Sequence, residues 1–183
     1  LPVPRVVEKK GMYVLSYDHR ESIGKLQAFQ GNVGVMIKAY SYIRSMGPEN
    51  LKKASQLAVL NANYLKEKLK GTLHLAYDRP CMHECVFSAS RQLAGGIHAL
   101  DVAKGLIERG FHPPTVYFPL IVDEAMMIEP TETEGKETLD AFVAAMIEIA
   151  ELAESDPDAL KACPTTTPVR RLDETAAARN PDT

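Results

Sequence analysis

The sequence predicts an α+β fold in which a small, mostly antiparallel sheet is covered by helices. Apolar residues recur every three or four positions over residues 49–70 and again over 139–153, the period of helices that each bury one face. Between these stretches, short apolar runs are punctuated by proline and glycine, which suits brief strands rather than helices. The resulting order is helix, helix, two strands, helix, two strands, helix, without the regular strand–helix alternation of a parallel sheet.

Taken along the chain, residues 1–20 are polar and broken by Pro2, Pro4 and Gly11, with β-branched patches at Val6-Val7 and around Val14. They predict an extended arm holding a hairpin. Gly31-Asn32-Val33-Gly34 opens an apolar segment that runs to Met46 and is closed by Gly47-Pro48, a helix stop followed by a new start. Over residues 49–70, Leu51, Ala54, Ala58, Ala62, Leu65 and Leu69 form one stripe and Leu57, Leu60 and Tyr64 a second, ended by Gly71. Residues 72–77 and 84–90, either side of a turn at Asp78-Arg79-Pro80, predict two paired strands. Leu100, Ala103 and Ile107 share a face, so residues 97–109 predict a third helix, stopped by Gly110.

Residues 115–120 and 125–128 are short and bracketed by Pro113-Pro114, Pro119 and Pro130, the pattern of edge strands. Thr131 and Glu134 have the spacing of a capping box ahead of Leu139, Phe142, Val143, Met146, Ile149 and Ala153 at helical period. Beyond Asp156-Pro157 too few large apolar residues remain to offset the entropy of ordering, so the end predicts an extended tail. The expected organisation is an arm at 1–20, one domain at 21–160 and a tail at 161–183.

Composition narrows the function. At 183 residues the chain suits one domain with extensions, and 45% hydrophobic with 25% charged residues provide for a core. A net charge of −3 lacks the basic face of a nucleic-acid binder. No apolar run approaches the length of a membrane span, and Pro2, Pro4 and Arg5 stand where a signal peptide would be apolar, so a cytoplasmic protein is expected. Three cysteines do not make a disulfide framework. Cys81, His83 and Cys85 alternate as if on one strand face, but Cys163 has no neighbouring ligand to complete a zinc set, and buried apolar thiols are the expectation.

No P-loop, dinucleotide fingerprint or Ser/His/Asp order is present. The segments SIGKLQAFQGNVGV (22–35), AVLNANYL (58–65), RPCMHE (79–84), GFHPPTVYFPL (110–120) and EPTETEGKETLDAF (129–142), with the tail TTPVRRLDE, do carry a resemblance. Together they resemble the C-terminal part of the glycine dehydrogenase (decarboxylating) family, in its two-subunit form subunit 2. The resemblance implies the small C-terminal domain of a fold-type-I transferase that uses pyridoxal 5'-phosphate. It implies decarboxylation of glycine and transfer of the aminomethyl group to the lipoyl arm of a carrier protein, the co-substrate. The implied partners are the large cofactor domain of the same subunit, glycine decarboxylase subunit 1 and the lipoyl carrier protein, with no nucleic acid and no membrane. None of the lysines lies in the glycine-rich context of the family's Schiff-base lysine, so the chain is expected to be a fragment that is not active alone.

Gly31, Asn32 and Gly34 at a helix entry suit the cofactor phosphate, because backbone N–H groups and the helix dipole favour an anion; a plain tight helix entry is the other reading. For the glycine carboxylate, the strand expected to correspond to the one that supplies a cation in related enzymes offers His112, which is equally a turn histidine beside two prolines. His83 is a second substrate-binding candidate, and a strand would send His83 and Glu84 to opposite faces. Glu129 and Thr131 suggest capping, and Tyr40, Tyr42 and Tyr64 core or interface. The competing expectation is a non-catalytic interaction module that only binds partner subunits.

Overall fold

The computed structural model describes residues 4–25 and 31–181. Part of the 22–35 segment, residues 26–30, therefore lies outside the described residues. The chain divides into two compact units, Leu1–Gly47 and Pro48–Thr183.

In the first unit, strands β1 (Arg5–Lys9) and β2 (Met12–Ser16) pair as an antiparallel hairpin with Lys9 opposite Met12. The two-residue loop has φ of 55° at Lys10 and 74° at Gly11, the left-handed pair whose twist matches that of the strands. Helix α1 (Val33–Leu69) begins in this unit and is broken at Gly47, whose φ of 68° and ψ of 170° are not helical. Pro48 then restarts the helix without needing a backbone donor.

The second unit holds the remainder of α1 and a four-stranded antiparallel sheet. Its strands are β3 (His74–Leu75), β4 (Cys85–Ser88), β5 (Thr115–Val116) and β6 (Ala125–Ile128), in the order β3-β4-β6-β5. Helices α2 (Ala99–Glu108), α3 (Lys136–Ser155) and α4 (Pro157–Ala162) accompany it, and a 3₁₀ turn spans Ser90–Gly95. Phe87 and Met126 of the inner strands are fully buried with Leu65 and Leu69 of α1, Leu106 of α2, Met146 and Ile149 of α3 and Leu160 of α4. Gly105 permits the close approach of these helices: a Cβ there would stand 2.8 Å from Leu160 Cδ1 and 3.2 Å from Ile149 Cδ1.

Several expectations need correction. Residues 125–128 form an inner strand, bonded to β4 on one side and β5 on the other. The flanking prolines lie outside the paired residues, so they do not confine it to an edge. The 115–120 strand ends at Val116, because Tyr117 turns the chain with a φ of 60°. Thr131 does not cap a helix: α3 starts at Lys136 with Gly135 as N-cap, and Thr131 Oγ1 bonds Thr133 Oγ1 at 2.7 Å. A capping box occurs instead at α2, where His98 is the N-cap and His98 N–H donates to Asp101 Oδ2 at 2.9 Å.

Residues near the C-terminus are not wholly extended, since Glu174–Arg179 forms helix α5. Before it, Arg171 Nε donates to Cys163 O at 2.8 Å and Arg171 Nη1 pairs with the buried Asp101 at 2.5 Å. Thr165 Oγ1 donates to Glu108 at 2.7 Å. These side-chain contacts order a segment whose composition offers little apolar area.

Candidate functional site

A cleft of 380 Å³ opens in the second unit between the loop before β5 and the loop between β6 and α3. Its floor is apolar: Leu65 and Leu139 are buried there, and Phe111 meets Phe142 edge to face, with ring centroids 5.5 Å apart. Pro113 and Pro114 stiffen one wall, and Pro130 lies in the other. His112, Thr131, Glu129 and Glu134 supply polar atoms around this floor.

The cleft wall is held by a buried amide. Asn61, on α1 and 8% exposed, donates through Nδ2 to Thr131 O at 2.9 Å and to Glu134 O at 3.3 Å. Two residues on, Asn63 clasps another loop: Nδ2 donates to Cys81 O at 2.7 Å and Oδ1 accepts from Cys81 N–H at 3.1 Å. A second depression of 500 Å³ lies beside that loop, lined by Lys66, Tyr77, Arg79, Cys81, His83 and Glu84 among others. Lys66 is buried and donates to Arg79 O at 3.1 Å, with Glu67 at 3.0 Å, so its charge serves to fix the loop.

His112 is exposed at the first cleft. It shares that cleft with two carboxylates, Glu129 and Glu134, which oppose an anion bound beside it. His83 lines the second depression, and it is not on a strand, since β4 begins at Cys85. The expectation that His83 and Glu84 point apart is therefore corrected: His83 Nε2 lies 3.9 Å from Glu84 Oε2 and 3.5 Å from Glu129 Oε1. Cys81, His83 and Cys85 do not share a strand face either. Burial pushes the Cys85 thiol up to about 12 and raises that of Cys81, so both are held as thiols near neutral pH.

In the first unit, Asn32 caps α1. Its Oδ1 accepts from Val35 N–H at 3.2 Å, its carbonyl accepts from Met36 N–H at 3.1 Å, and Val33 N–H bonds Gly31 O at 3.0 Å. Gly31 takes the left-handed φ of 79° that this turn requires, and Gly34 lies in the first turn of the helix. Tyr40 and Tyr42 are exposed, while Tyr64 is half-buried and its hydroxyl donates to Asp140.

Asn61 and Asn63 had a signal in the sequence. Two asparagines in the middle of a strongly periodic helix are poor helix formers, and such residues persist where their side chains bond something outside the helix.

The fold and cleft define a class: a small α+β domain whose antiparallel sheet is backed by helices and whose polar groups gather on loops at the sheet's end. The chain belongs to the glycine dehydrogenase C-terminal domain family, whose profile matches residues 54–163. It is 64% identical over 99% of its length to a probable glycine dehydrogenase (decarboxylating) subunit 2 of Caldanaerobacter subterraneus subsp. tengcongensis. The counterpart from Bacillus velezensis is 53% identical over the same share. The chain spans 37% of the length of each of these relatives. The crystal structure of glycine decarboxylase (P-protein) of the glycine cleavage system, in inhibitor-bound form, matches 81% of this chain and 35% of its own. Its TM-score is 0.63 at 21% identity, a likeness of fold. Among the described residues no helix is long and apolar enough to cross a membrane.

Proposed function

We propose that this chain serves as the small C-terminal domain of a cytoplasmic, pyridoxal-phosphate-dependent glycine decarboxylase of the glycine cleavage system. The observation that carries the reading is the 64% identity, spread over 99% of the chain, to a subunit 2 of glycine dehydrogenase. The partners are the large cofactor domain, glycine decarboxylase subunit 1 and the lipoyl carrier protein. The cofactor supplies the electron sink for loss of carbon dioxide. The chain's own residues bind and orient. His112 donates a hydrogen bond to the glycine carboxylate from the lip of an apolar-floored cleft. The turn formed by Gly31, Asn32 and Gly34 faces the cofactor phosphate, in competition with the Asn32 side chain that already holds Val35 N–H. Of the two histidines His112 is the better substrate ligand, because His83 already lies against two carboxylates.

The test uses a complete subunit 2 carrying this domain, assembled with subunit 1. His112→Ala raises the glycine concentration needed for carbon dioxide exchange roughly tenfold to a hundredfold, the loss of one charge-assisted hydrogen bond. Cofactor absorbance on the same variant stays unchanged. Equal loss of both makes His112 structural, and no loss removes it from the site. An assembled wild-type complex without any glycine-dependent exchange would favour a domain that only binds partner subunits.

A further inference from the structure

We infer that His83, Glu84 and Glu129 form a site for a divalent transition-metal ion, of the zinc, cobalt or manganese type, at the end of the sheet. The site is built by strand register. Cys85 pairs with Ile128 as the last pair of the antiparallel β4–β6 ladder, and Glu84 and Glu129 are the next residues outward on the two segments, just beyond the strands. Their carboxylates come within 4.8 Å of one another, and like charges that close repel. Among the described residues neither carboxylate has a lysine or arginine partner, and the only ion-pair partner of each is His83. Two carboxylates facing a single imidazole leave a net negative charge that a dication neutralises.

The spacing fits an ion better than hydrogen bonding. His83 Nε2 is 3.5 Å from Glu129 Oε1 and 3.9 Å from Glu84 Oε2, both longer than a good N–H···O bond of about 2.7–3.2 Å. Metal–ligand bonds of about 2.0–2.1 Å place neighbouring ligand atoms of a tetrahedron about 3.3 Å apart, close to the shorter of these distances. One donor atom from each residue lies within 4.8 Å of the others, so small side-chain rotations close the set. One imidazole nitrogen with two carboxylate oxygens favours a borderline ion over calcium or magnesium, which prefer oxygen alone. All three side chains are partly open to solvent, which leaves water to complete the coordination.

The framework beneath the ligands is already fixed. The sheet holds Cys85 and Ile128, the chain neighbours of Glu84 and Glu129, and the Asn63 clasp holds Cys81, two residues before His83. The ion would thus link the two loops that flank the sheet's end. Cys81 and Cys85, the thiols that alternate with His83 in the sequence, are outside the set.

The experiment takes the full 183-residue chain, stripped of metal and without a histidine tag, in buffer containing neither glycine nor cofactor. Its outcome is therefore independent of the glycine decarboxylase reading. Cobalt(II) is titrated while its visible absorption is followed, and zinc binding is measured by calorimetry. The expected result is one equivalent of each ion, with a cobalt spectrum of low coordination number. Glu129→Gln and His83→Gln each weaken binding more than about tenfold, whereas Cys81→Ser leaves it unchanged. Circular dichroism shows that the variants keep the fold. No binding by the wild type, or binding that survives both ligand substitutions because the other histidines supply it, overturns the proposal.

Discussion

Replacing Asn63 by alanine tests whether one helix side chain holds the loop beside the second depression. The change removes the donor to Cys81 O and the acceptor from Cys81 N–H, at 2.7 and 3.1 Å. It also removes the bond to Val59 O within the helix, whose carbonyl keeps its helical partner. Two hydrogen bonds to a half-buried backbone contribute about 1 kcal/mol each, and more if water cannot replace them, so the expected loss is about 2–3 kcal/mol. For a chain of this size that lowers the melting midpoint by about 5–10 °C. A second readout separates loop from fold. Cys81 is half-buried in the clasped loop, whereas Cys85 and Cys163 are buried. If labelling of Cys81 requires the loop to open, a loss of 2 kcal/mol speeds it by at least about tenfold, and Cys81 stays much faster than Cys85 and Cys163, which wait for wider unfolding. A midpoint shift below about 1 °C with unchanged Cys81 labelling would refute the reasoning. Wild-type Cys81 labelling no faster than that of Cys85 and Cys163 would show that the loop opens only when the whole unit unfolds.

The remaining expectations concern alkaline stability and association. Cys85 is held at about 12 in the folded chain by burial, against an ordinary value of 9.0. Below pH 9 both states carry the neutral thiol and nothing changes. Above it the unfolded state loses its proton first, so stability falls by about 1.4 kcal/mol per pH unit towards pH 12. Urea midpoints of wild type and Cys85→Ala between pH 8 and 10.5 measure this, and equal slopes for the two would contradict it. In the first unit Val35, Met36, Ile37, Tyr40 and Ile43 of α1 are each more than half exposed, an apolar surface broad enough to seek cover. The chain alone is expected to self-associate and bind an apolar dye, and the pair Tyr40→Lys and Ile43→Lys to reduce both. Light scattering that finds the wild type a dye-silent monomer at high concentration would count against this.

The helices were legible because their signals are local. The stripes of residues 49–70 and 139–153, and the stop at Gly47-Pro48, lie within a few turns of the backbone they specify. The small sheet was legible as strands, and the family resemblance as a set of short segments in order. Of the candidate site, the sequence singles out His112 and His83, which line the two depressions, but not the groups beside them. The capping box at Thr131 failed for a tertiary reason: the buried Asn61 amide takes the carbonyls of Thr131 and Glu134, and the helix starts later, after Gly135. Strand order failed similarly, since proline spacing says nothing about which strands pair across the 36 residues between β4 and β6. Only the folded sheet could decide that Glu84 and Glu129 both come within 4 Å of His83. That meeting depends on register between distant segments, whereas side-chain preference acts over the few residues nearest in the chain.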